Sequence, residues 1–318
     1  MSRPDTSLLP HATATYRVGP LRVRFTADDP QVTADLAALY AHLEDVAADD
    51  RDPAPLTISS RAIGGALGSV TPSAWRRYTI ACDGEPMFRR LSRNAVIPYM
   101  DWAVNWRLID TADDLLLLHA GTVAIGHGAV LLAAASGSGK STLTSALWAA
   151  GGALMSDEFG AIDPATRRLL PIPKPVCVKA GSFAPVSAMG LTIRTGRHYI
   201  KAFKGKVGYV TPADLAARSD GGGVARGAKA PRLIVFPQRV ADHPMRVEYV
   251  TAAEAAFRLA GHAFNRHRHE DGGVPTLLEL TRATPCVSIT YSEATECAAW
   301  VMEQLDGSRT ISEPRLAA

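Results

Sequence analysis

The chain has 318 residues, 47% hydrophobic and 20% charged, with a formal net charge of +3. That length supports one large or two modest cores, and so small a charge does not by itself imply a nucleic-acid partner. The four cysteines, Cys82, Cys177, Cys286 and Cys297, form no C-x-x-C pair. They read as reduced thiols, and Met1-Ser-Arg-Pro-Asp-Thr6 lacks an apolar signal core, so a cytoplasmic location is expected.

Residues 1–110 read as a separate α+β module. Tyr16 to Phe25 suggests two strands joined at Gly19-Pro20. Val32 to Val46 has helical spacing, with Leu36, Leu39, Tyr40 and Leu43 on one face. Asp49 to Pro55 is a polar loop, and Arg77 to Ile80 is strand-like. Met100 to Ile109 reads as a helix on which Trp102 and Trp106, four residues apart, serve packing.

From residue 111 to 308, strand and helix signals alternate, and 309–318 is a tail. Leu115 to Ala135 is 21 residues without Lys, Arg, Asp or Glu, long enough to cross a bilayer. The turn signal Gly126-His-Gly128 divides it, and two buried strands explain it better than a membrane helix. Strand signals follow at Ala153–Ser156, Gly160–Ile162, Arg168–Ile172, Val176–Lys179, Leu233–Phe236, Val247–Val250 and Cys286–Tyr291. Helical signals cover Ala252–Ala260, Pro275–Thr284 and Glu293–Leu305. Residues 219–232 read as a mobile basic surface loop.

The strand Ala129–Ala134 runs into Ala135-Ser136-Gly137-Ser138-Gly139-Lys140-Ser141-Thr142, and a helix runs out of it. Glycines at 137 and 139 let successive N–H groups curl around an anion. The helix that follows presents its positive end. In such a phosphate-binding loop Lys140 reaches the β- and γ-phosphates and the Ser141 hydroxyl holds Mg²⁺. The position usually taken by the first glycine is Ala134, whose methyl is tolerable if its φ stays negative.

Phosphoryl transfer also needs acidic groups for the metal and the acceptor. Asp157 and Glu158 end the next strand signal, at the edge where open α/β sheets bind ligands. Should that strand neighbour the loop strand, one carboxylate can take a hydroxyl proton and the other can hold Mg²⁺. His119 points toward the same place if Thr122–Ile125 pairs with the loop strand. Arg194, Arg197, His198, Lys201, Lys204 and Lys206, with Lys174 and Lys179, are further cations, either phosphate clamps or solvated charges. His267 and His269 have no third ligand at a recognisable spacing and read as polar loop residues. No nucleic-acid motif is present.

His119-Ala-Gly, Ser136-Gly-Ser-Gly-Lys-Ser141 and Asp157-Glu158, in this order and at these spacings, resemble the kinase domain of HPr kinase/phosphorylase. The HPr-kinase-related kinases are more similar still. Trp102-Ala-Val-Asn-Trp106, Pro171-Ile-Pro-Lys-Pro-Val176 and Val235-Phe-Pro237 extend that likeness softly, and the firm part covers about 115–160. The resemblance implies Asp157 as catalytic base, Glu158 as its acidic companion and a second metal ligand, and His119 as participant. It implies Lys140 and the loop residues Ser136, Gly137, Ser138, Gly139, Ser141 and Thr142 as holders of ATP, with Ser141 on Mg²⁺. HPr kinase carries two Asp where this chain has Asp157-Glu158, and its downstream glycine-rich signature is missing here. Neither phosphorylation of HPr itself nor the reverse phosphorolysis is therefore implied; the resemblance to the related-kinase branch, linked to phosphorylation of a peptide serine, implies a peptide or protein hydroxyl as the acceptor.

The expected fold is α/β, a P-loop kinase domain of the HPr kinase/PEP-carboxykinase-like type over 111–308 behind the smaller module 1–110. The expected activity is an ATP- and Mg²⁺-dependent kinase acting on a hydroxyl, with no nucleic-acid or membrane partner and a possible homo-oligomeric state. Two alternatives stay open: a small-molecule kinase of the shikimate or adenylate type, with 219–232 as a lid, and a nucleotide-sensing module without catalysis.

Overall fold

The computed structural model describes residues 11–45, 54–63, 75–135, 137–196, 198–202, 204–215 and 222–306. The chain divides into two compact units. The first comprises 1–111 together with 177–183 and 193–211, so it recruits two segments from far along the chain that the sequence reading assigns elsewhere.

The first unit opens with β1 (His11–Val18) and β2 (Leu21–Ala27), which pair antiparallel across Gly19, φ +58°. Helix α1 (Pro30–Tyr40) begins where the Asp29 carboxylate accepts the Gln31 N–H and Pro30 supplies a preset φ. Its buried face carries Val32, Leu36, Leu39 and Tyr40. Strands β3 (Leu56–Ala62), β4 (Tyr78–Cys82) and β5 (Glu85–Leu91) complete a five-stranded sheet in chain order. Helix α2 (Val96–Thr111) follows. Trp102 stacks on Phe88 at 5.4 Å between ring centroids. Trp106, expected to pack like it, is 50% exposed.

The second unit begins with β6 (Leu116–Ile125) and β7 (Gly128–Ala133), antiparallel across a turn at Gly126. These are the two strands of the 21-residue uncharged run. Among the described residues no helix is long and apolar enough to cross a membrane. Then come α3 (Lys140–Ala149), β8 (Ala153–Ser156), β9 (Phe159–Ile162) and β10 (Leu169–Leu170). Next in the chain come β11 (Val176–Lys179), α4 (Phe183–Ala188), β12 (Ile200–Lys201), β13 (Gly205–Val210) and α5 (Pro212–Leu215); the separate small sheet of order β11-β13-β12 falls, from residue 177 on, in the segments that belong to the first unit. The chain ends in β14 (Ala230–Arg239), β15 (Arg246–Tyr249), α6 (Ala252–Ala260), α7 (Val274–Ala283), β16 (Cys286–Tyr291) and α8 (Ala294–Leu305).

An eight-stranded sheet of order β10-β9-β6-β7-β14-β16-β15, with β8 also on β6, forms the centre of this unit. Strands β7, β14 and β16 are parallel neighbours. Alternation along them sends side chains to two cores. Val130, Leu132, Val235, Val287 and Ile289 pack with Leu143 and Leu147 of α3 and Val301 of α8. Leu131, Ala133, Ile234 and Phe236 pack with Leu259 of α6 and Leu277 and Leu280 of α7. Helices therefore cover both faces of a mixed sheet, an α/β arrangement. Burying each such leucine or valine contributes roughly 1.5–3 kcal/mol.

The described part of the basic loop is pinned rather than mobile. Trp148 Nε1 donates to Gly222 O at 2.6 Å, Ala225 N donates to Leu154 O at 2.9 Å, and Ala225 is buried. Lys229 exchanges two backbone hydrogen bonds with Leu169, each of 2.8–2.9 Å.

Candidate active site

Strand β7 delivers the chain into the glycine-rich loop at one edge of the sheet. Ala134 is buried and is not among the positive-φ residues, so its methyl is accommodated. Gly137 and Gly139 take φ of +97° and +93°, values that carry a penalty for any side chain. A methyl at Gly139 would also stand 2.7 Å from Tyr291 Oη and 3.2 Å from Arg239 Cβ. Ser138 closes the turn, its hydroxyl donating to Ala135 O at 2.8 Å. Ser136 lies outside the described residues. Ser141 and Thr142 fall in the first turn of α3, with Thr142 buried and Ser141 partly so. Ser145 Oγ donates to Ser141 O at 2.8 Å.

Lys140 is 7% exposed. Its stem passes over β6 at Gly121, where an added Cβ would meet Lys140 Cγ at 3.6 Å and Thr144 Oγ1 at 2.4 Å. Gly121 therefore leaves the space that the Thr144 hydroxyl occupies, with the lysine stem in ordinary contact beside it, a role not assigned to it from sequence. Alternation along β6 puts His119 on the same face as Gly121.

Asp157 and Glu158 form the bend between β8 and β9. Ser156 Oγ shapes that bend by accepting Glu158 N–H at 3.3 Å and Phe159 N–H at 2.9 Å. Both strands pair antiparallel with β6, Ser156 facing Thr122 and Phe159 facing His119. The register in between brings Asp157 abreast of Gly121 and Glu158 abreast of Ala120. The acidic strand is thus not the neighbour of β7, because β6 stands between them. Since β6 is antiparallel to both, β8 still ends at the same sheet edge as β7. Asp157 is 6% exposed.

His119 Nε2 lies 3.8 Å from Glu158 Oε1, an ion pair when the imidazole is protonated. The ring rests on Phe264 with centroids 5.4 Å apart, and Phe264 rests on Phe159 at 5.6 Å. Where β7 leaves the sheet, the segment 262–264 takes its place beside β6. His119 N donates to His262 O and Phe264 N to Leu117 O, both at 2.8 Å. Burial pushes the His262 imidazole pKa below its ordinary value, and the nearby Lys140 charge adds to the effect. The next residue, Asn265, is fully buried. It accepts Leu117 N–H at 2.9 Å and donates to Ala112 O at 3.1 Å and Leu115 O at 2.8 Å, so it fixes the start of β6. His262, Phe264 and Asn265 carry no motif, and only the tertiary fold brings them here.

Residues 193–211 belong to the first unit, where Lys201 is buried with Nζ 5.4 Å from the Trp102 ring centre. Arg197 lies outside the described residues. His269 Nε2 lies 3.1 Å from Leu115 O, a structural contact, and His267 sits in the short turn before it.

The residues present suit a polyphosphate. Two left-handed glycines bend the loop, its amides and the start of α3 are electropositive, and a buried lysine runs alongside. Among the described residues no three His, Cys, Asp or Glu group together as a metal cage. A Mg²⁺ held by one or two side chains plus phosphate oxygens needs no such cage, and Ser141 and Glu158 are of the right chemistry. Compared with models of known protein families and with curated proteins, the chain matches none.

Proposed function

We propose that this chain is an ATP- and Mg²⁺-dependent kinase of the HPr-kinase-like P-loop type, transferring the γ-phosphoryl group to a hydroxyl, with a serine of a peptide or protein as the acceptor. The observation that supports this best is the meeting at Gly121. Lys140 passes that residue from the glycine-rich loop, and the bend that carries Asp157 lies between the paired residues Ser156–Thr122 and Phe159–His119 beside it. A phosphate-binding cation and a carboxylate base are the two groups phosphoryl transfer needs within reach of each other.

In this reading the loop amides and Lys140 hold the transferring group and offset the charge that builds on it. Asp157 takes the acceptor's hydroxyl proton as the new O–P bond forms and the bond to the departing nucleoside diphosphate breaks. His119, held in place by its contact with Phe264, stands 3.8 Å from the Glu158 carboxylate and positions it. Mg²⁺, when bound, would neutralise phosphate charge, with Ser141 and Glu158 as its ligands. Sequence resemblance supports the same assignment. Against the lid-bearing small-molecule reading stands the pinning of 222–229 to Leu154 and Leu169.

Incubation with γ-labelled ATP, Mg²⁺ and a library of Ser, Thr and Tyr peptides tests it, with Asp157→Asn alongside. Label on a serine peptide from the wild type, lost in the variant, is the expected result. Nucleotide binding without transfer to any peptide or metabolite would overturn the kinase reading.

A further inference from the structure

The sheet edge that carries the glycine-rich loop has two sides. Strands β7, β14 and β16 are parallel, and β8 shares their direction through β6, so all four end there. On the β6 side stand His119, Asp157 and Glu158. On the other, β14 continues past the last residue of β7 and alongside the loop, ending in Arg239.

We infer that Arg239 is a nucleotide-positioning residue whose guanidinium takes oxygens of the α- and β-phosphates. The inference rests on the kinase reading, since it assumes that the loop holds a nucleotide. Three contacts fix where the side chain starts and points. Arg239 N donates to Ser138 O at 3.1 Å, tying the strand to the loop. Its Cβ lies 3.2 Å from where a Cβ of Gly139 would be. Its Nε donates to Ser292 O at 3.1 Å. With Nε engaged, the two Nη groups remain as the planar fork that matches a pair of phosphate oxygens. The residue is exposed, so the fork is open to a ligand.

Direction decides which phosphates it meets. A terminal phosphate turned toward Asp157 sends the rest of the nucleotide away from β6, across the loop toward β14 and β16. Arg239 is a cation at that wall tied to the loop itself, and Tyr291 Oη beside it donates to Gly139 O at 3.4 Å. A side chain already tied at its main chain and at Nε has less rotamer freedom to lose on binding.

Calorimetric titration of the full chain with ADP and, separately, with pyrophosphate tests this in wild type, Arg239→Gln and Arg239→Lys. Arg239→Gln is expected to bind both ligands about tenfold or more weakly, with an unchanged melting temperature because the residue is exposed. Arg239→Lys keeps the charge without the fork and should recover only part of the affinity. Loss for ADP alone would mean contact with the nucleoside and would overturn the phosphate assignment. Equal ADP affinity in wild type and both variants would overturn the inference and leave the kinase reading intact. A wild type that binds neither ligand would overturn both.

Discussion

Asp101 in the first unit and Asp157 in the second are almost equally buried, 4% and 6% exposed, yet their surroundings differ in kind. Asp101 sits on α2 among hydroxyls. Tyr40 Oη donates to it at 2.7 Å, and its charge, second to burial, helps hold the Tyr40 and Tyr209 phenols well above their ordinary pKa. Asp157 sits at a strand end, in a bend drawn by Ser156, abreast of a glycine over which a lysine passes. Burial alone therefore does not distinguish a carboxylate that holds a fold from one placed for chemistry. A helix-interior aspartate walled by aromatic hydroxyls has nowhere to receive a substrate, whereas one at the carboxyl edge of parallel strands does.

The widest separation between the two should come from Asp157→Asn. Removing a catalytic base costs about 10²- to 10⁴-fold in rate, and the amide keeps the volume, so phosphoryl transfer should fall by that factor while the thermal melt stays put. A rate within about twofold of wild type would remove Asp157 from the role given to it.

Asp101→Leu should do the reverse. It leaves the Tyr40 hydroxyl buried without its acceptor, a loss of about 1–3 kcal/mol, seen as a lower midpoint in denaturant. ADP affinity of the folded protein should not change. Weakened ADP binding at full foldedness would mean the two aspartates are not separable in this way.

Much of this contrast was legible in the residues. The hairpin turn at Gly19-Pro20 falls where its pattern predicts, though both strands run past Tyr16 and Phe25, and strand β8 and helix α6 have their predicted limits, because alternation, a glycine turn and helical spacing are local signals. The candidate site was legible where it is written as consecutive residues, in 137–142 and 157–158. Three things were not. The insertion of β6 between the loop strand and β8 is a matter of pairing, which no local pattern encodes. The use of residues 193–211 by the first unit depends on contacts distant in the chain. Arg239 looks like any charge at the end of an apolar run until β14 is seen to outlast β7.

A smaller effect tests the meeting point itself. Gly121→Ala places a methyl 2.4 Å from Thr144 Oγ1, while Lys140 Cγ at 3.6 Å stays in ordinary contact, so Thr144 and the α3 turn that carries it and Lys140 must shift, at about 1–3 kcal/mol for overpacking. Thr144 Oγ1 is buried, with no hydrogen-bond partner among the described residues, so Thr144→Ala alone should cost little polar interaction. The double variant should recover most of the ADP affinity that Gly121→Ala loses. This non-additivity is expected only of residues in contact. Additive losses would place the damage elsewhere.

The smallest effect is a proton. Burial first, and the Lys140 charge second, hold the His262 pKa below its ordinary 6.5. Lys140→Met removes the second cause and keeps the first, so the imidazole should titrate higher than in wild type but still short of 6.5. The stability consequence has a definite sign. With the folded pKa depressed, the unfolded chain binds the proton more readily between that value and 6.5. The wild type therefore loses stability as pH falls through this window, and the variant loses less. ADP bound to the wild type should act like the substitution, since phosphate charge beside Lys140 offsets the ammonium. Histidine ring NMR reads all three states in a protein that need not turn over. A His262 resonance unmoved by both Lys140→Met and ADP would mean that the lysine and the phosphates lie away from β6, and that the cluster around Gly121 is not where the nucleotide is held.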